Sequence, residues 1–507
     1  MTADAAGAAL ATLRETHPPA IAPDAAPRVL VHRGTCGQAA GVERYIDALR
    51  GVAGTSLVEA ACDGACWAAP AATVIRADAS TGASGAAHVH RFARLDESGV
   101  ASLEACLGGN CDEASDARGG VMARLGRTDG SLSDALAGGT YAAAAQALAM
   151  EPGAVIDGVE ALGLTGRGGA HFPTALKWRF ASGAPEAPLL VVNAEEGEPG
   201  VFKDRHMLEG DPHRLLEGVI IAAHATGAQQ VFVYINGQAR NARAAFAQAL
   251  AEAAEAGIVG DDALGVPVEL EIEIRSGAGG YVCGEETVIL NSIEGQRPVP
   301  RFKPPQITEA GLFGRPTVLN NAETLAAVTL LCDETPPATK LVSLSGAIPR
   351  PGLYEVAVDG TSTWATVLAE AGAASDDIEA LLLGGPSGLF VPPSQFDEPL
   401  EMTALGAGGV VALAAGSDVA AVALDLARYN ASESCGECTP CREGTPRLVA
   451  LLEAPTLDRP RVDQLIDVMT EASLCQLGGM AGRPIASALE LFPQAFGLPS
   501  DAGVASS

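Results

Sequence analysis

The sequence predicts an α/β protein of several units, ending in a helical segment built around a metal-binding cysteine cluster. Three observations predict it. Strand-like apolar runs alternate with helical ones between residues 150 and 336, the rhythm of a mostly parallel sheet. Glycine, asparagine and carboxylate residues recur where those runs turn from strand to helix. Cys435, Cys438 and Cys441 stand within seven residues, and Cys475 follows alone.

Composition sets the outer limits. A chain of 507 residues with 48% hydrophobic content has ample material for several cores. Its net charge of −30 repels nucleic acid and anionic lipid. The longest apolar stretches are short or broken, as at Asp418 and Asp425, so no membrane insertion is expected. Met1 to Ala20 lacks the basic start and apolar core of a secretory signal. An odd count of 11 cysteines then points to the cytoplasm, with cysteines as metal ligands or buried thiols.

The elements follow in order. Residues 1–25, rich in Ala and Pro, read as a flexible arm. Residues 26–95 read as a small αβ unit: strand Arg28–His32, a turn at Gly34–Gly37, helix Val42–Leu49, and strands Ser56–Ala60 and Ala72–Arg76. Residues 96–149 are rich in Gly, Ser and Asp and read as a linker with one or two short helices. Residues 150–336 carry strands Leu189–Val192, Gln230–Ile235 and Leu270–Ile274, with helices Pro212–Thr226 and Ala239–Ala256. Residues 337–418 read as a strand-and-turn module with one helix, Thr363–Ala371. Helical patterns fill 419–507. No internal repeat is present.

Four segments in the 150–336 unit have the chemistry of a cofactor pocket. Gly163–Ala170 packs four glycines around Arg167, and a helix with Lys177 follows. Glycines let backbone N–H groups approach a phosphate, and the two cations add charge. Alone this is weak evidence, and it is not the dinucleotide fingerprint. Asn193, Glu195, Glu196 and Glu198 follow a strand, at the end where open α/β sheets bind ligands. Gly277–Thr287 places Glu285 and Glu286 at a helix start. Asn320 and Asn321 suit an Asx turn capping another helix. Such a set suits a large planar cofactor with one phosphate.

Two consecutive C-x-x-C steps let the thiolates of Cys435, Cys438 and Cys441 converge, and Cys475 can close the site. That is the ligand logic of a cubane [4Fe–4S] cluster. Zinc and unliganded thiols are the other readings, although zinc sites usually pair two separate knuckles.

At these residues the chain resembles a known family. GLTGRGGAHFPTALKW, NAEEGEPGVFKDR, GAGGYVCGEET, NNAETL and ESCGECTPCREGT, with Cys475, look like the NADH-binding flavoprotein subunit of respiratory complex I. The same module is the beta (diaphorase) subunit of NAD-linked formate dehydrogenases and occurs in NAD-linked hydrogenases. The resemblance covers residues 151–496. It implies FMN and one [4Fe–4S] cluster as cofactors and NAD(H) as substrate, with hydride passing between nicotinamide and flavin and no side chain serving as catalyst. By motif, FMN would meet Gly166, Arg167, Gly168, Lys177, Asn193, Glu195, Glu196, Tyr281, Gly284, Glu285, Asn320, Asn321 and Thr324. NAD(H) would be lined by Phe172, Phe180, Glu198, Glu286 and Lys303, with Glu198 and Glu286 positioning the nicotinamide substrate. The cluster ligands would be Cys435, Cys438, Cys441 and Cys475.

The resemblance also implies a Rossmann-like FMN/NADH domain, a ubiquitin-like β-grasp domain over 337–418 and a C-terminal helical bundle. His171 stands where the family usually has glycine, and Gln306 where an aromatic is usual. The first unit resembles a thioredoxin-like [2Fe–2S] domain, but Gly41 replaces one ligand and leaves Cys36, Cys62 and Cys66, with Cys106 or Cys111 as distant substitutes. A degenerate domain without a [2Fe–2S] cluster is expected, because an all-thiolate site takes four ligands. The expected partners are a small thioredoxin-like [2Fe–2S] subunit and a large molybdenum- or tungsten-containing formate dehydrogenase subunit. A hydrogenase diaphorase or a complex I subunit is the alternative, and a non-catalytic scaffold is the reading from a different class.

Overall fold

The computed structural model describes residues 2–19, 28–53, 57–60, 62, 64–77, 87–107, 120–333 and 336–499. They form three sheets and a C-terminal set of helices. Cys111 lies outside the described residues.

The first sheet has the order β2-β1-β3-β4, with β1 (Arg28–His32), β2 (Leu57–Ala60), β3 (Ala72–Ala77) and β4 (Ala87–Phe92). β1 and β2 run parallel, joined through helix Glu43–Ala53, and the other pairs are antiparallel. Val29, Val31 and Val74 pack with Ile46, Leu49 and Leu103. Instead of the expected turn at Gly34–Gly37, Gly34 caps a short helix, Thr35–Ala39, that includes Cys36 and Gly37.

The second sheet has four parallel strands in the order β7-β6-β5-β8. They are β5 (Leu189–Ala194), β6 (Gln230–Ile235), β7 (Glu271–Ser276) and β8 (Thr317–Asn321). Both faces of β5 are covered, so the strand is apolar from Leu189 to Val192 and turns polar only at Asn193, near its carboxyl end. Leu190 and Val192 face the larger core, and Leu189 and Val191 face a smaller one, as period-two geometry requires. Helix Pro212–Thr226 is buried on nearly every side because it runs through the larger core. The chain steps outward from β5 to β6 and β7, then returns to the other side of β5 as β8. The β5/β8 crevice is therefore the topological switch point, where open α/β sheets take ligands.

The third sheet has the order β10-β9-β13-β11-β12. It comprises β9 (Thr339–Gly346), β10 (Gly352–Ala357), β11 (Ile378–Leu383), β12 (Leu389–Val391) and β13 (Gly409–Ala414). β9 and β13 pair in parallel and the rest antiparallel. Helix Trp364–Glu370 lays Trp364, Val367 and Leu368 on this sheet, opened by a capping box between Thr363 and Thr366. Helices Val419–Glu433, Thr439–Leu452, Arg459–Ala472, Gln476–Met480 and Arg483–Leu491 follow. No helix among the described residues is long and apolar enough to cross a membrane.

Two expectations are corrected. Much of the expected arm over 1–25 is helix Thr2–Thr16, and its Ala6 and Leu10 are buried in the core of the parallel sheet. The expected linker over 96–149 holds helices Glu97–Leu107, Leu132–Ala137 and Ala142–Leu148. Leu132, Leu136, Tyr141 and Leu148 belong to the same large core. Both segments are rich in alanine, which packs closely but gives little contrast between apolar and polar faces. Packing of the parallel-sheet unit thus begins well before residue 150.

Candidate functional site

The carboxyl ends of β5 and β8 bring Asn193 and Asn321 into register as strand partners. Asn321 then caps helix Ala322–Val328, accepting from the Glu323 N–H at 3.0 Å. The Asn193 amide donates to the Gly284 carbonyl at 3.0 Å, which draws the 281–284 turn onto the same crevice. Asn320 accepts from the Trp178 indole at 2.9 Å, and Lys177 donates to the Leu319 carbonyl at 3.0 Å. The helix after the glycine loop is fixed to β8 by these two bonds.

The glycine loop closes on itself and on the crevice. The Gly166 N–H donates to the Phe172 carbonyl at 2.9 Å, and the Arg167 N–H donates to Thr324 Oγ1 at 2.9 Å. A Cβ at Gly168 would press on Asn321 Cβ at 3.3 Å. His171 has φ 51°, a left-handed conformation in which glycine is at ease and histidine is strained. That explains physically why the unexpected residue stands out.

A buried ionic network lies behind the pocket. Lys203 pairs with Asp204 at 2.6 Å and Glu323 at 3.1 Å, and Lys340 reaches Glu323 at 3.7 Å. Lys203 also donates to Asn321 Oδ1, and Asn321 donates to Asp204 Oδ2. Burial pulls the Lys203 pKa down, but Asp204, Glu323 and Glu196 more than reverse it. Burial likewise works against the Glu323 carboxylate, and Lys340, Lys203 and Arg167 outweigh it. Lys340 is lowered to about 8, mostly by burial. None of Lys203, Asp204, Glu323 and Lys340 was assigned a role from sequence.

The acidic turn is held tightly. Glu196 accepts from the Asp204 N–H at 2.8 Å, and Glu195 accepts from the Asn236 amide at 2.9 Å. Burial pushes Glu195 up to about 7 and Glu198 up to about 8. Burial also raises Glu196 to about 7, with Asp204 adding to it. Glu285 caps helix Glu286–Ile293 through the Thr287 and Val288 N–H groups, while Glu286 pairs with Lys303. Phe172 is 42% and Phe180 56% exposed, so both aromatic faces are open to a ligand. Phe302, 77% exposed beside Lys303, has the same character and was missed in the sequence.

The four cysteines of the C-terminal segment line one cavity, together with Val282, Pro300, Leu474 and Leu477 and the polar Ser434 and Glu437. Cys438 opens helix Thr439–Leu452 and Cys475 opens helix Gln476–Met480. Gly478 permits the approach, since a Cβ there would sit 2.8 Å from Cys441 Cβ. Arg297 holds the loop by donating to the Cys435 carbonyl at 3.0 Å. The Tyr281 N–H donates to Glu433 at 2.9 Å, tying the turn beside Asn193 to the cysteine loop.

The residues fit the groups implied. Arg167 Nε, both His171 ring nitrogens and Glu198 Oε1 are buried without a hydrogen-bond partner, a polar shell suited to a phosphate-bearing polar ligand. The cysteine cavity has four soft donors and otherwise mostly apolar walls, as an iron–sulfur cluster requires.

Comparison with known proteins agrees. Residues 159–330 match the Nuo51 FMN-binding domain, and residues 421–498 match the NADH-ubiquinone oxidoreductase-F iron-sulfur binding region. The F-type subunit of the NADH-quinone oxidoreductase of Aquifex aeolicus is 37% identical over 72% of this chain and 90% of its own length. An F-type subunit of the Rhizobium meliloti NADH-quinone oxidoreductase is 38% identical over 72% of this chain and 93% of its own. An NAD+-reducing [NiFe]-hydrogenase chain superposes with a TM-score of 0.66 at 29% identity, covering 97% of this chain and 88% of that one. FMN and a [4Fe–4S] cluster are accordingly this chain's cofactors, with NAD(H) as substrate. With two matched regions in the expected order and near-complete coverage of its relatives, the chain belongs to the family of F-type subunits of NADH-quinone oxidoreductase.

Proposed function

We propose that this chain is a diaphorase subunit, moving electrons between NAD(H) and an iron–sulfur chain through FMN in the β5/β8 crevice and a cluster on Cys435, Cys438, Cys441 and Cys475. One observation carries the reading. Val282 lines the cysteine cavity, and its neighbours Tyr281, Gly284 and Glu285 belong to the turn drawn onto the crevice by Asn193. A single turn of backbone therefore separates the two cofactor sites. FMN supplies hydride chemistry and single-electron release when bound, and the cluster supplies single-electron transfer.

The chain's own residues bind and orient. Arg167 and Lys177 are cations depressed by burial, so a phosphate dianion restores what desolvation removes. Asn193, Glu195, Glu196, Asn320, Asn321 and Thr324 fix the crevice wall, the seat proposed for the flavin. Phe172 and Phe180 give nicotinamide and adenine rings an apolar face. Glu198 and Glu286 bracket the substrate, and Glu286, oriented by Lys303, accepts from ribose hydroxyls and repels a 2′-phosphate. Replacing Glu286 by Gln raises the use of NADPH relative to NADH, and an unchanged ratio rejects that role.

The proposed donor is formate, oxidised in a molybdenum- or tungsten-containing partner and delivered through a small thioredoxin-like [2Fe–2S] subunit to this chain in the cytoplasm. Family resemblance supports this reading. A second reading, hydrogen as donor, is favoured by the match of hydrogenase chains across the N-terminal unit as well. Anaerobic purification with bound partners separates them. NAD+ reduction by formate with molybdenum or tungsten present supports the first, and reduction by hydrogen with nickel present supports the second. Colourless protein with neither flavin nor iron rejects both and leaves a scaffold.

A further inference from the structure

A second group of ligand-type side chains lies away from the flavin and cluster sites. Donor atoms of Cys36, Cys66 and His206 all fall within 4.8 Å of one another, the only such group among the described residues. Cys66 Sγ is 3.2 Å from His206 Nε2. Cys62 lines the same cavity as Cys36 and Cys66, and its side chain contacts His206. Two cysteines therefore come from one segment, the third from the short helix Thr35–Ala39 after β1, and the histidine from helix Lys203–Gly210 of the parallel-sheet unit.

The geometry is built rather than incidental. His206 is 1% exposed, and its Nδ1 lies 2.6 Å from the Phe202 carbonyl. A carbonyl only accepts, so Nδ1 carries the proton and Nε2 turns its lone pair to the thiols. That is the arrangement by which proteins orient a metal-ligating histidine. The start of helix Thr35–Ala39, capped by Gly34, is shaped for the same end. A Cβ at Gly34 would sit 2.8 Å from Cys62 Cβ, and one at Gly37 would sit 2.2 Å from the His32 carbonyl oxygen. Glycine at both positions lets Cys36 come up beside Cys62.

Spacing selects the ion. Sulfur donors at about 2.3 Å and nitrogen at about 2.0 Å around tetrahedral zinc stand roughly 3.5–3.8 Å apart, which Cys36, Cys66 and His206 satisfy with small adjustments, while Cys62, in the same cavity but outside that tight triple, closes in as the fourth donor. A [2Fe–2S] cluster divides its ligands between two irons, so any three include a pair that must spread farther. The four C-terminal cysteines illustrate the contrast, since they line one cavity without forming any triple this tight. We propose that Cys36, Cys62, Cys66 and His206 bind one Zn2+, which clasps the first unit to helix Lys203–Gly210. Binding releases three thiol protons and leaves three thiolates and a neutral imidazole on the ion, with no change of oxidation state. The ligand missing from the expected [2Fe–2S] set is thus replaced by a histidine some 140 residues away.

The test uses the full chain, purified anaerobically without chelator, with zinc, iron, labile sulfide and flavin counted together. One zinc beside four irons is expected, and zinc-edge absorption should give three sulfurs at about 2.3 Å and one nitrogen at about 2.0 Å. His206→Ala and Cys66→Ser should lose the zinc and keep the iron. His206→Cys should regain it as a four-sulfur site, which separates loss of a ligand from loss of folding. A parent chain without zinc, six irons in place of four, or a zinc signal indifferent to all three substitutions would overturn the proposal.

Discussion

The two cysteine-lined cavities use the same side chain at different reach. At the C-terminal end all four ligands come from residues 435–475, within one set of helices, and are spread around their cavity. At the N-terminal end Cys36, Cys66 and His206 are drawn to within 4.8 Å of one another and come from two packing units. Ligands of one element spread around a cavity can hold an extended inorganic cube that carries electrons. Ligands of two elements converging on a point can hold an ion that joins those elements. Reach and origin, more than the count of cysteines, separate a redox centre from a fastening.

The sharpest test of that contrast is Cys438→Ser. Iron and electron delivery to an external iron–sulfur acceptor should fall to background, while NADH still bleaches the flavin and bound zinc is unchanged. Zinc loss in step with iron would erase the distinction between the cavities. Arg167→Gln should leave both cavities filled and weaken FMN binding by about 10- to 100-fold, the worth of a charged hydrogen bond of about 1.5–3 kcal/mol. Flavin release followed by fluorescence measures it.

Glu209→Gln probes the fastening without touching a ligand. The Thr35 N–H donates to Glu209 at 2.8 Å and the Thr35 hydroxyl donates to its other oxygen. Removing the charge should cost about 1–2 kcal/mol locally and speed amide exchange over residues 28–53, with exchange in the C-terminal helices unaltered. The smallest effect concerns pH. Burial pushes Glu198 up to about 8 in the folded chain, against about 4.3 when unfolded. The unfolded chain thus releases this proton first, and the stability contributed by the protonated form is lost as pH rises from about 5 to about 8. In flavin-free protein, Glu198→Gln should gain in melting temperature relative to the parent across that window. A constant difference would show that Glu198 titrates normally.

Much of the architecture was legible. β6 and helix Pro212–Thr226 fall on the expected residues, because an unbroken apolar run and a capped, small-residue helix leave few alternatives. The expected Asx cap at Asn321 forms, and the four C-terminal cysteines share a cavity. Short helices are expected within 96–149, but the burial of Leu132–Ala137 and Ala142–Leu148 in the large core is not legible, because alanine hides amphipathic periodicity. His206 and Lys340 escaped for another reason. Each acts through partners far along the chain, Cys66 for one and Arg167 and Glu323 for the other, and no local spacing announces such a meeting.

Helix Lys203–Gly210 touches both ends of this story. Its first residue reaches Asn321 in the crevice, and its last stands so near the N-terminal unit that a Cβ on Gly210 would lie 2.5 Å from the Cys62 carbonyl oxygen. Anyone trimming this polypeptide to a minimal NADH-oxidising fragment would therefore be tempted to cut in the wrong place. Discarding residues 28–107 would strip Thr35 and Cys66 from Glu209 and His206 and so uncover the rod on which Lys203 rides. For grafting onto a new electron donor, the portable piece includes the N-terminal sheet.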